Sequence, residues 1–171
     1  EIGGIGLRRG LKVVIETKVN NPNGADLLII AADTRSMRPA DAVNEIEKIT
    51  NDILKLKPEY IFKKLDSVLR GNIVEELKAQ MKRMGKDKAL VVAGNPHFNR
   101  IIKDGIYYVN GVPLADTFFA NDPQYPISTS NVVEILKNDE KVQVVSLEND
   151  LNKDRIMMAN VCCVDEMQKW S

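Results

Sequence analysis

Residues 27–32, Leu-Leu-Ile-Ile-Ala-Ala, make the longest clean apolar run in the chain, and its length decides what it can be. Six residues fall far short of the roughly 20 that a helix needs to cross a bilayer. The stretch 25–32 therefore reads as a strand covered on both faces. Short runs rich in β-branched or apolar residues recur at 11–16, 60–65 and 89–93, each with the composition of a strand. Helical patterns lie between them. Over 40–56, Val43, Ile46, Ile49 and Ile53 are spaced by three and four, with Pro39 near the first helical position. Over 72–84, Ile73, Leu77, Met81 and Met84 share one face. Asn72 is the expected N-cap of that helix, Glu75 its capping-box partner and Gly85 its stop. Strand alternating with helix calls for an α/β domain of three layers, a mostly parallel sheet with helices on both faces. The strands at Val13, Leu28, Ile61 and Val91 are expected in one such sheet.

The pattern changes after residue 100. Around Asn110-Gly111 the flanking apolar residues read as a β-hairpin insertion, because this pair readily takes the positive φ angles of a type I′ turn. Pro113 places the returning strand at an edge. A third helix is expected over 128–136, capped from Ser128 to Asn131, with strands at 142–145 and 156–164. Residues 2–10 read as the later turns of a helix closed by Gly10, and Trp170-Ser171 lies a turn or two into what reads as another helix, so both ends of the chain are expected to be cut. With 171 residues and no internal linker, the whole chain reads as one domain able to bury roughly 70% of its unfolded surface.

Charge narrows the partners. The 24 acidic and 24 basic side chains balance, which argues against a nucleic-acid surface, normally marked by a basic excess. No signal peptide or membrane span is read, so the chain is expected in the cytoplasm. Cys162 and Cys163 are neighbours, where a bridge would be strained, and read as buried free thiols. His97 is the only histidine, which excludes a His-rich metal cluster or a pair of catalytic histidines.

In sheets of this kind ligands bind beyond the carboxyl ends of the strands, and three loops there carry chemistry. The loop 63–72 joins Lys64, Asp66, Ser67 and Arg70 to the helix start at Asn72. Free backbone N–H groups at that start, together with Lys64 and Arg70, suit a carboxylate or phosphate. Asp66 and Ser67 offer an acceptor and a hydroxyl to a polyol; alternatively, Asp66 pairs internally with Lys64 or Arg70. The loop 33–36 brings Asp33 and Arg35, and the loop 94–100 brings His97 and Arg100, of which Arg100 is the stronger candidate. No G-x-x-x-x-G-K-[ST] loop occurs to hold ATP.

These loops carry a resemblance. The run Lys63-Lys64-Leu65-Asp66-Ser67-Val68-Leu69-Arg70-Gly71-Asn72 is similar to K-K-[IL]-D-S-[TV]-L-R-G-N of the four-carbon acid sugar kinases. The turn Ala32-Asp33-Thr34-Arg35-Ser36, the hairpin 108–114, Asp122-Pro123 and Pro126 resemble further elements of the N-terminal, acid-sugar-binding domain of that family. Asn99 stands where the family has glycine, in a turn whose left-handed backbone asparagine tolerates. The resemblance implies ATP-dependent phosphorylation of threonate, erythronate or an oxo-tetronate. It implies an acid sugar held mainly by this domain, and Asp33, Arg35, Lys64, Asp66, Ser67, Arg70, Asn72 and Arg100 are expected around it; the place of Arg70 one turn before the helix start predicts that its guanidinium binds the substrate carboxylate through two parallel hydrogen bonds. It also implies ATP and Mg2+ on a separate C-terminal domain, absent here together with the family's opening A-D-D-x-T-G-A turn. The fragment alone is then expected to be inactive, to carry no cofactor, and to leave the catalytic group unknown. The alternatives are a non-catalytic acid-sugar sensor and an interaction domain with structural loops.

Overall fold

The structure is a computed structural model that describes residues 2–149, 151 and 155–170. Eight strands and five α-helices are found among them: α1 (Ile2–Arg8), β1 (Val13–Glu16), β2 (Leu27–Ile30), α2 (Pro39–Lys55), α3 (Ile73–Met84), β3 (Ala89–Val91), β4 (Arg100–Lys103), β5 (Ile106–Val109), β6 (Val112–Pro113), α4 (Val132–Ile135), β7 (Val142–Val145), β8 (Ile156–Ala159) and α5 (Val164–Lys169). The parallel strands and intervening helices make an α/β fold. β1 pairs with β2 in parallel, Val13 opposite Leu27. A second parallel sheet runs β3-β8-β7, with Ala89 and Val142 both opposite Ile156. None of the described helices is long and apolar enough to cross a membrane.

The pleat of β8 shows why helices lie on both sides. Side chains alternate along a strand, so Ile156 and Met158 join the main core with Ile73, Val74 and Leu77 of α3. Met157 and Ala159 face the other way, against Trp170 just beyond α5. The Trp170 indole donates to the Asn160 carbonyl at 2.9 Å, which fastens α5 to the end of β8. α2 packs along α3, and α1 lies against β1 and β2.

The hairpin is a three-stranded antiparallel sheet, β4-β5-β6. Asn110 and Gly111 have φ of 54° and 78°, the signature of the expected type I′ turn, and Pro113 lies on the edge strand opposite Tyr108. Asp104 and Gly105 form a second such turn, at 50° and 75°, that the sequence reading passed over. Asn99 takes the left-handed conformation, φ 52° and ψ 36°, in the place of the family's glycine.

Four expectations need correcting. The parallel strands form two ladders instead of one, and residues 60–65 are not a strand. The latter segment alternates as a strand would, with Ile61, Lys63 and Leu65 turned in and Tyr60, Phe62 and Lys64 exposed, but side chains hold it in place of a ladder: Leu65 enters the core and Lys63 pairs with Glu76 at 2.7 Å. Asn72 precedes α3 as expected but does not cap it; its amide donates instead to the carbonyls of Thr34 and Met37, at 3.2 and 2.9 Å. Glu75 accepts from Lys137. Both cysteines are free, yet Cys162 is half-buried and Cys163 exposed, because the chain has left β8 by residue 160 and is turning into α5.

Candidate functional site

Asp66 organises the loop that leads into α3. Its two carboxylate oxygens accept five hydrogen bonds: from the Val68 and Arg70 backbone N–H groups, both at 3.2 Å, from Arg70 Nε at 2.9 Å and Nη2 at 3.0 Å, and from Arg35 Nη1 at 3.0 Å. The backbone bends back to allow this through Leu69, a buried residue held at φ 64°. A left-handed non-glycine residue costs about 1–2 kcal/mol, which the charge-assisted bonds of the carboxylate offset. Next comes Gly71 at φ 92°, where an added Cβ would stand 2.8 Å from Arg35 Cγ. Only glycine allows the two loops to approach so closely.

Arg70 continues the chain of charges. Its Nη1 donates to Asp122 at 2.8 Å, and its guanidinium lies 5.6 Å above the Phe119 ring. Asp122 in turn accepts from the backbone N–H groups of Gln124 and Tyr125, at 3.0 and 2.7 Å, and these bonds hold its carboxyl below the ordinary range. The Tyr125 phenol donates to the Arg35 carbonyl at 3.1 Å, and the Arg35 guanidinium lies 5.9 Å above the Tyr125 ring. Under the same loops lies a buried trio: Glu76 accepts from Thr34 at 2.6 Å and from Lys63 at 2.7 Å.

These contacts build one wall of a cavity of about 420 Å³, lined by Arg35, Arg70, Asn72, Tyr125, Ser128 and Lys137 among others. Of the two arginines that line it Arg35 is the more available, with a side chain 46% exposed against 16% for Arg70, while the third lining cation, Lys137, is 61% exposed and pairs with Glu75 at 2.6 Å. The loops 33–36 and 63–72 thus meet through Arg35, Asp66 and Arg70. The remaining candidates are spread around them. Asp33 is exposed, at φ 49°, and makes no side-chain hydrogen bond among the described residues. Lys64 is exposed and donates to the Leu65 carbonyl at 2.6 Å. The Ser67 carbonyl accepts from the Tyr107 phenol at 2.7 Å, and Arg100, half-buried at the start of β4, acts electrostatically on the same phenol. Burial pushes the Tyr107 hydroxyl up to about 12, so it remains a proton donor near neutral pH. His97 is exposed on a 3₁₀ turn, Pro96–Phe98. Among the described residues no three His, Cys, Asp or Glu side chains are grouped to hold a metal ion. Sequence reasoning assigned no role to Tyr125, Glu76 or Lys63; Asp122-Pro123 and Pro126 hinted at the loop that carries Tyr125.

The Asp66 network makes a pH dependence. Burial alone would raise this carboxyl, but the Arg70 side chain and the Arg70 and Val68 N–H groups outweigh it and hold it at about 2. Against an ordinary value near 3.9, a depressed carboxyl contributes stability that is complete above about pH 4 and disappears as pH falls through about 2. At about 1.4 kcal/mol per unit, Asp66 is expected to supply roughly 2.5 kcal/mol lost over that window. Urea unfolding of wild type and Asp66→Asn between pH 6 and 2 should give curves that converge on acidification; parallel curves would remove the assignment.

The profile of the family described as "Sugar-binding N-terminal domain" matches residues 3–168. The chain belongs to this family. Its curated relatives are four-carbon acid sugar kinases. A D-threonate kinase of Salmonella typhimurium is 31% identical over 134 residues, 78% of this chain and 32% of the relative. A D-erythronate kinase of Heliobacterium modesticaldum is 33% identical over 127 residues, 74% of this chain and 29% of the relative. This sugar-binding domain thus spans about a third of the curated relatives it matches. A solved domain from Bordetella bronchiseptica, a domain-swapped dimer with bound citrate, superposes with a TM-score of 0.82 at 19% identity, over 98% of this chain and 46% of its own. A Haemophilus influenzae protein gives 0.81 at 16% identity, over 94% and 45%. At such identities the likeness carries the fold alone, and the α/β reading of the sugar-binding domain agrees with it.

Proposed function

We propose that this domain binds a four-carbon acid sugar for a cytoplasmic kinase, presenting a terminal hydroxyl to ATP and Mg2+ held by a separate C-terminal domain. The observation that carries the reading is the half-exposed Arg35, pinned at the edge of a cavity that also includes the start of α3. A planar guanidinium beside the residues that lead into a helix N-terminus suits a small carboxylate, and about 420 Å³ lies at the small end of ligand pockets, roughly 300–1,000 Å³. The names of the relatives, kinases for threonate, erythronate and 3-oxo-tetronate, support the substrate class.

The residue roles follow from which groups have capacity left. Arg35 and the α3 start take the carboxylate. Asp66, already accepting five hydrogen bonds, orients the two arginines and leaves the substrate hydroxyls to Ser67 and Asp33. Lys64 and Arg100, which do not line the cavity, add positive potential from a greater distance. Calorimetric titration with D-threonate, D-erythronate and threitol tests the reading, threitol being a four-carbon polyol without a carboxylate. Binding of an acid but not of threitol is expected. Equal binding of all three would remove the role of Arg35, and binding of none would remove the function.

A further inference from the structure

Arg35 is held more firmly than a half-exposed arginine needs to be. Among the described residues its guanidinium makes one hydrogen bond, to Asp66 at 3.0 Å, and one bond leaves a long side chain several rotamers. The remaining restraint comes from Tyr125. Its ring lies under the guanidinium at 5.9 Å and its hydroxyl donates to the Arg35 backbone at 3.1 Å. Tyr125 is itself placed by Asp122, which binds its N–H at 2.7 Å and is bound by Arg70 at 2.8 Å. The contacts form a closed ring: Arg35, Asp66, Arg70, Asp122, Tyr125 and back to Arg35.

From this geometry we infer that Tyr125 is a positioning residue for Arg35, fixing its guanidinium at the cavity edge before any ligand arrives. The inference rests on the reading of Arg35 as the carboxylate-binding group and adds a second side chain, from a loop about 90 residues away, to carboxylate recognition. Preorganisation of this kind raises affinity by removing the ordering cost from the binding step. Neither the ring nor the hydroxyl is expected to touch the ligand's carboxylate.

Two side-chain variants separate the contacts. Tyr125→Phe keeps the ring and loses the hydrogen bond; Tyr125→Leu loses both. The first readout is the {1H}–15N NOE of the arginine Nε–H groups in the ligand-free protein. In Tyr125→Leu the Arg35 signal should lose order while Arg70, held by Asp66 and Asp122, keeps it. The second readout is affinity for D-threonate, expected to weaken about tenfold in Tyr125→Leu and about threefold in Tyr125→Phe, given the usual worth of a cation–π contact and a hydrogen bond. An unchanged Arg35 NOE in Tyr125→Leu, or equal loosening of Arg70, would overturn the inference. Failure of the wild-type chain to bind D-threonate, together with the selective NOE loss in Tyr125→Leu, would uphold the positioning role and reject the acid-sugar reading instead.

Discussion

Arg70→Met is expected to cost the domain about 3 kcal/mol of stability in urea unfolding at pH 7, more than a typical surface arginine by a wide margin. The side chain is only 16% exposed and gives Nε and Nη2 to Asp66, itself 12% exposed, while Nη1 goes to Asp122. Breaking a buried pair by removing one partner costs about 3–5 kcal/mol because a charge is left behind, and the residual solvent access here favours the lower end. Arg70→Lys should lose roughly half as much, since a point charge cannot serve two carboxylates through a planar fork. The control is Arg38→Met: the Arg38–Asp41 pair has side chains 85% and 46% exposed, so a change within about 0.5 kcal/mol is expected. If Arg70→Met matched that control, the network would have no structural weight. The same geometry redirects the expectation that Arg70 forks a substrate carboxylate. In this structure the forked carboxylate is Asp66 of its own loop, the internal pairing that the sequence had left open.

That redirection shows where sequence reasoning reached and where it stopped. Period and capping chemistry are local, so α2 and α3 were legible from their apolar spacing, Pro39 and Gly85, and the hairpin from Asn110-Gly111. Residues 60–65 misled because their alternation is that of a strand, while the decision between ladder and side-chain anchoring depends on Glu76, on another element. Asn72 misled similarly. An asparagine before a helix is a good cap in isolation, but here two carbonyls of a distant loop compete for its amide. The 63–72 and 33–36 loops were found because polar residues following apolar-rich runs stand out. The closure of the ring through Tyr125 had no local signal, and neither did the left-handed Leu69, since nothing in a leucine announces positive φ. Long-range satisfaction of donors and acceptors was the part the sequence did not spell out.

The complementary result is expected at Arg35, where function should suffer and stability should not. With 46% of its side chain exposed and one hydrogen bond to Asp66, Arg35→Ala should change the free energy of unfolding by less than about 1 kcal/mol, as for exposed pairs generally. Asp66 would still accept both Arg70 side-chain bonds and two backbone N–H groups, so its loop keeps its shape. The affinity for D-threonate should nonetheless fall by roughly ten- to a hundredfold, because a charge-assisted hydrogen bond contributes about 1.5–3 kcal/mol. Arg35→Lys should recover only part of it, keeping the charge but not the planar fork that matches a carboxylate. Calorimetry with D-threonate and urea unfolding on the same preparations would measure both sides. Unchanged threonate affinity in Arg35→Ala would remove Arg35 from the site, and full recovery in Arg35→Lys would leave it a role as positive charge alone. Together with Arg70→Met, the pair of variants divides the network by exposure: the arginine enclosed between two carboxylates is expected to maintain the fold, and the one at the cavity edge is expected to receive the ligand.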